Sequence, residues 1–174
     1  MRLRNSLKAA MVALPLLALT TPALAEDWTF FRATDLRRGG VILTTDRNVT
    51  HAIEVTLCEQ RAAFDCLRVS GGFTLAVPKA RLLPQWEFEG TRYQLLDDKA
   101  GFYLLGKKVD GMYVRAINGK GEEAVFFYSP VRGFLAFQWV TVLGERPMIF
   151  IATGWCGPAA QASCAQRGGG RDER

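Results

Sequence analysis

A single histidine, His51, serves the whole 174-residue chain. Any catalytic triad or zinc site that needs imidazole therefore has one possible donor. No glycine-rich phosphate loop, dinucleotide fingerprint or C-x-x-C pair occurs. Nucleotide-dependent chemistry and thioredoxin-type exchange lose their usual signatures. Past the first 25 residues no apolar run approaches the roughly 20 residues that a membrane-spanning helix requires. Net charge is scarce too, because Arg2, Arg4 and Lys8 supply three of the five net positive charges. A body so near neutrality predicts no nucleic-acid partner.

Those three basic residues precede an apolar stretch from Ala9 to Leu19, broken by Pro15, and then Ala23-Leu24-Ala25. A basic start, a short apolar middle and an A-x-A end predict a secretory signal helix cleaved after Ala25. The expected organisation is a signal peptide over 1–25, one β domain over 26–164 and a disordered, glycine-rich charged tail over 165–174. Export implies the periplasm or the outside of the cell, with no membrane span after cleavage.

Export gives the four cysteines their meaning. Cys58 and Cys66 are separated by seven residues, and so are Cys156 and Cys164. An even count in an oxidising compartment predicts disulfides, with three possible connectivities. Strand alternation favours Cys58–Cys66. From His51 to Cys58, residues Ile53, Val55 and Leu57 face inward while Cys58 faces outward. In the next strand Leu67 and Val69 face inward, so Cys66 faces outward on the same side. Cross-strand Cα atoms lie about 4.5–5.5 Å apart, which suits a disulfide. Cys156–Cys164 then staples a loop. The gap is too long for a zinc knuckle, and no metal or other cofactor is expected.

The richest stretch is Gly101–Leu143. Four aromatic and β-branched runs are separated by Asp110-Gly111, by Asn118-Gly119-Lys120-Gly121 and by Ser129-Pro130-Val131-Arg132-Gly133. This pattern predicts an antiparallel meander. Further alternating runs begin near Trp28, Val41, His51, Cys66, Gly72, Gln85, Arg92 and Met148. The expected fold is all-β, an antiparallel sandwich or barrel of about ten to twelve short strands.

Two meander strands are apolar on both faces, so something must cover the second face: this chain, a partner or a ligand. If that face is open, Tyr113, Phe126, Tyr128 and Phe134 with Arg132 form an aromatic interaction surface with a cationic rim. The remaining candidates are weaker. Glu87 and Glu89 share a strand face two residues apart and suggest paired carboxylates, although a solvated face shows the same alternation. Asp97-Asp98 reads as a turn. No complete catalytic set emerges. The expectation is an exported, non-catalytic binding or interaction domain of the cell envelope, with a protein or glycan partner. A small periplasmic hydrolase using His51 or Glu87/Glu89, and a lipocalin-like carrier with an apolar cavity, are the alternatives.

Overall fold

The computed structural model describes residues 25–33, 40–59, 62–70, 72–140 and 148–164. The expected tail, and the expected signal peptide apart from Ala25, lie outside them. Eleven strands form in chain order. They are β1 (Asp27–Arg32), β2 (Gly40–Thr44), β3 (Ile53–Leu57), β4 (Phe64–Val69), β5 (Thr74–Pro78) and β6 (Gln85–Phe88), then β7 (Thr91–Leu104), β8 (Lys107–Ile117), β9 (Glu123–Ser129), β10 (Gly133–Val140) and β11 (Met148–Ala152). All belong to one sheet in the order β5-β4-β3-β2-β1-β11-β10-β9-β8-β7-β6. Spatial order therefore follows chain order around a nearly closed barrel, because β11 returns to pair with β1. The all-β expectation holds, and the architecture is barrel-like.

One pairing departs from the antiparallel expectation. Leu43 and Thr44 of β2 lie beside Ile53 and Glu54 of β3 in parallel. The intervening loop turns out and back: Asp46 accepts a hydrogen bond from the Asn48 backbone amide at 2.9 Å, and His51 adopts φ 65°. The second strand therefore starts at Ile53, with His51 in the turn.

The barrel interior is aromatic and filled. Phe126 meets Phe134 at 5.5 Å with tilted rings, Tyr93 meets Phe126 at 6.5 Å, and Phe30 meets Phe137 at 5.3 Å. The second face of β9 is covered as well. Phe127 is fully buried, roofed by Phe102 and Tyr113, each at 5.1 Å. Thus this chain itself covers the second face of β9.

The cover depends on a glycine that the sequence pattern assigns differently. Asp110-Gly111 is not a hairpin turn but the middle of β8. A Cβ on Gly111 would lie 2.4 Å from the Tyr128 carbonyl oxygen and 2.6 Å from the Phe127 ring. Close approach, and not a positive φ, requires glycine there. The actual turn is Leu105-Gly106, with φ 50° and 77°, the two left-handed positions of a tight hairpin. Asp97–Gly101 is likewise not a turn. It lies within β7, whose pairing to β8 shifts register between Leu95 and Ala100.

The barrel closes differently between β5 and β6, which share no ladder. Val69 donates to the Phe73 carbonyl and Lys79 to the Ala63 carbonyl. Antiparallel alternation then turns the carbonyls of Thr74 and Ala76 away from β4. Side chains fill them: Tyr93 donates its hydroxyl to Thr74 O at 2.6 Å, and Trp86 donates Nε1–H to Ala76 O at 3.1 Å. These two rings are cross-strand partners stacked at 5.4 Å. Phe88 against Phe64 at 4.6 Å, and Glu89 paired to Arg68, extend the seam. This overlap covers the outer face of β4: Cys66 and Ala76, opposite in parity to the inward Leu67, are 1% and 0% exposed, so that face is buried and not the solvent face that alternation suggested.

Candidate functional site: a polar cleft at the barrel mouth

Strand direction collects a set of side chains at one end of the barrel. β1 starts there, β3 and β5 finish there, and the β9–β10 turn and residues 153–164 lie there. A cleft of about 600 Å³ opens among them, lined by Asp27, Trp28, Cys58, Asp65, Lys79 and Cys156, among others. Its floor is polar. Asp65 shares strand parity with Leu67 and so points inward. It accepts a hydrogen bond from the Tyr128 hydroxyl at 2.6 Å, and Lys79 Nζ stands 3.2 Å from its other oxygen. Burial first, and then the bonded Asp65 carboxylate, push the Tyr128 phenol well above its ordinary range. Tyr128 therefore stays a proton donor toward Asp65, and both carboxylate oxygens have partners.

Two disulfides stiffen the walls. Cys58–Cys66 spans 5.2 Å between Cα atoms, and Cys156–Cys164 spans 6.1 Å. Each bridge has one buried cysteine, Cys66 or Cys164, and one partly exposed cysteine lining the cleft, Cys58 or Cys156. The second bridge closes a strap that pairs with the start of β10. Phe134 N donates to Pro158 O at 2.9 Å, Gly157 N to Arg132 O at 2.8 Å and Gln161 N to Val131 O at 3.0 Å. Gly133 has φ 75°, and a Cβ there would lie 2.0 Å from Pro158 O, so the strap fits only against glycine. At the rim, Glu26 N donates to Thr45 Oγ1 at 3.0 Å and the Thr44 hydroxyl donates to Asp27.

The five residues of the expected interaction surface do not form one exposed platform. Phe126, Tyr128 and Phe134 are 1%, 3% and 0% exposed and face the barrel interior. Tyr113 lies on the opposite face, half-buried against Phe127. Arg132 is half-buried, with its guanidinium 3.7 Å above the Trp155 ring. Alternation separates Tyr113 from the inward residues, and the closed sheet removes the inward ones from solvent.

The candidate catalytic groups also stay apart. His51 is exposed in the loop before β3, while the nearby Glu54 pairs with Arg47 at 2.9 Å. Glu87 is exposed on β6. Glu89 lies past the strand end with φ 49°, so the two carboxylates do not share a strand face. Arg68 hydrogen-bonds Glu89 and holds its carboxyl below the ordinary range. That lowering disfavours a general-acid role.

Asp65 and Lys79 carry the mouth, yet motif reading passes over them. Asp65 did leave a signal: a carboxylate at the parity of Leu67 and Val69 sits where a core side chain is expected. Among the described residues no cluster of three metal-ligating side chains occurs. No family model, curated protein or solved structure matches the chain.

Proposed function

We propose that the chain is an exported, non-catalytic binding domain of the cell envelope and that the mouth cleft is its binding site. The observation that carries this reading is the Asp65–Lys79 pair lining a cleft of about 600 Å³, with Asp65 fixed by the hydroxyl of the buried Tyr128. That volume is the size of small-ligand sites, and a few fixed polar groups in such a space confer orientation. Trp28 offers an aromatic wall beside them. A sugar unit or a short peptide segment fits this mixture of hydrogen-bonding groups and ring surface. Two disulfide-bonded pairs are consistent with an oxidising extracellular location.

The carrier reading has less support. The interior gap between Leu67 and Phe137 offers about 10 Å³, too little for an apolar ligand. The hydrolase reading suffers from the separation of His51, Glu87 and Glu89.

The test is a glycan and peptide array probed with the wild type and with Ala162→Trp. Ala162 is exposed and lines the cleft, so the indole obstructs the site without entering the core. Binding that disappears in the variant, while thermal unfolding is unchanged, supports the reading. Binding equal in both proteins overturns it.

A further inference from the structure

We propose that the β7–β8 hairpin tip and the neighbouring β9–β10 turn form a docking surface for an anionic lipid bilayer. β8 last pairs with β9 at Met112, opposite Tyr128. From there to Lys107 the hairpin runs on beyond the β9 ladder by roughly 15 Å at strand rise, with Leu104 and Val109 buried on one face. Its tip carries the two most exposed large apolar side chains among the described residues, Tyr103 at 73% and Leu105 at 66%. Val131, exposed at 47%, sits in the β9–β10 turn. Trp155 joins the two turns: Lys107 Nζ lies 5.6 Å from its ring on one side of this contact network and Arg132 lies 3.7 Å from it.

The composition of this end is specific. An amphipathic tyrosine, an exposed leucine and a tryptophan sit beside Lys107, Lys108 and Arg132. Aromatic rings with polar edges favour the headgroup region, and adjacent cations are drawn to anionic lipid. Acidic groups are set back from the hairpin apex, since Asp110 lies opposite Gly101, but they flank the β9–β10 turn. Asp110 pairs with Lys108 at 3.6 Å, and Asp98 shares a shallow groove with Asp110 and Pro130. Neither lies between Tyr103 and Lys108 in the sequence. The tip therefore presents apolar surface with Lys107 at its apex and Lys108 shared with Asp110, a local excess of positive charge that matches a negatively charged bilayer. A protein partner would need no such separation of charge along the hairpin.

The test is co-sedimentation of the chain from Glu26 onward with vesicles of phosphatidylcholine alone or mixed with phosphatidylglycerol. Binding is expected to the mixed vesicles, about fivefold above neutral ones, as one lysine near the surface contributes about 1 kcal/mol. Tyr103→Ser with Leu105→Ser removes binding to both. Lys107→Gln with Lys108→Gln removes only the preference for anionic lipid. Tyr103→Trp reports insertion as a blue shift of its emission. These positions are exposed, so unchanged thermal unfolding shows that each variant is folded. No sedimentation with either vesicle overturns the proposal, as does binding that ignores the tip substitutions. Equal binding to both vesicle types overturns its anionic part.

Discussion

The barrel is joined at two seams, and they are built from different materials. Where β1 meets β11, backbone pairs backbone: Phe30, Phe31 and Arg32 lie opposite Ala152, Ile151 and Phe150. Where β5 meets β6, side chains reach across to edge carbonyls, through Trp86 and Tyr93. A backbone seam tolerates most single substitutions, since every residue but proline carries the same groups. A side-chain seam depends on a few named residues, and removing one leaves a buried carbonyl without a donor. It also leaves an open strand edge, which is a template for another chain.

The sharpest way to break this contrast is Trp86→Ala. It is expected to cost about 3–5 kcal/mol, the range for a large buried aromatic, and to cause concentration-dependent association through the β5 edge. Denaturant unfolding with sedimentation velocity reads both effects. Phe31→Ala at the backbone seam is the control, destabilising without association; if it associates equally, the two seams do not differ as described. Next in size is Cys58→Ser with Cys66→Ser. It opens a small loop worth roughly 2.5 kcal/mol on the chain-entropy model and loosens β3 and β4 at the cleft wall.

Tyr93→Phe is milder, because the ring stays and only the hydroxyl leaves. Its cost is about 1 kcal/mol. Hydrogen exchange is expected to accelerate in β5 and β6 and stay unchanged in β1 and β11. The same hydroxyls set an alkaline limit. Burial raises the phenols of Tyr93 and Tyr128 above their ordinary value, so the folded state keeps protons that the unfolded chain loses. Stability from these groups is full below the unfolded phenol range and is lost progressively as pH rises from there through the raised values of the folded state. Ultraviolet titration of tyrosinate in the wild type and in Tyr128→Phe checks this.

The smallest effect belongs to Glu89→Gln. Both partners of the Arg68 pair are around 40% exposed, so solvent screening limits the loss to about 0.2–1 kcal/mol. Its carboxyl is held below the ordinary range in the fold. The difference from wild type should therefore be full at neutral pH and vanish as acid protonates Glu89. Guanidinium unfolding is a poor probe because its salt screens the pair; urea at low ionic strength reads it.

Much of the fold was legible because period-two alternation is a local property. Trp86/Phe88, Ile53/Val55/Leu57 and Leu67/Val69 each marked a strand and its inward face, and alternation placed Cys58 opposite Cys66. Turn chemistry was less reliable, because glycine answers two demands. Gly106 takes a positive φ and makes the hairpin, whereas Gly111 makes room for the Phe127 ring. Sequence alone does not separate a glycine needed for its dihedral from one needed for its missing Cβ. The candidate site was mostly hidden for another reason. Asp65, Tyr128 and Lys79 are brought together by three different strands or their ends, and no short spacing announces them. Closure of the sheet was equally silent, and it decided that Phe126, Tyr128 and Phe134 would be interior.

The adjacency of the first and last strands has a kinetic corollary. Nearly every other pairing joins segments close along the chain, so hairpins can assemble as soon as both arms exist. The β1–β11 ladder instead unites residues about 120 positions apart, a slow, high-contact-order event. That ladder can form only after Met148–Ala152 has been made. A chain truncated before Met148 would be left as an open ribbon with two bare borders, prone to adhere to its own kind.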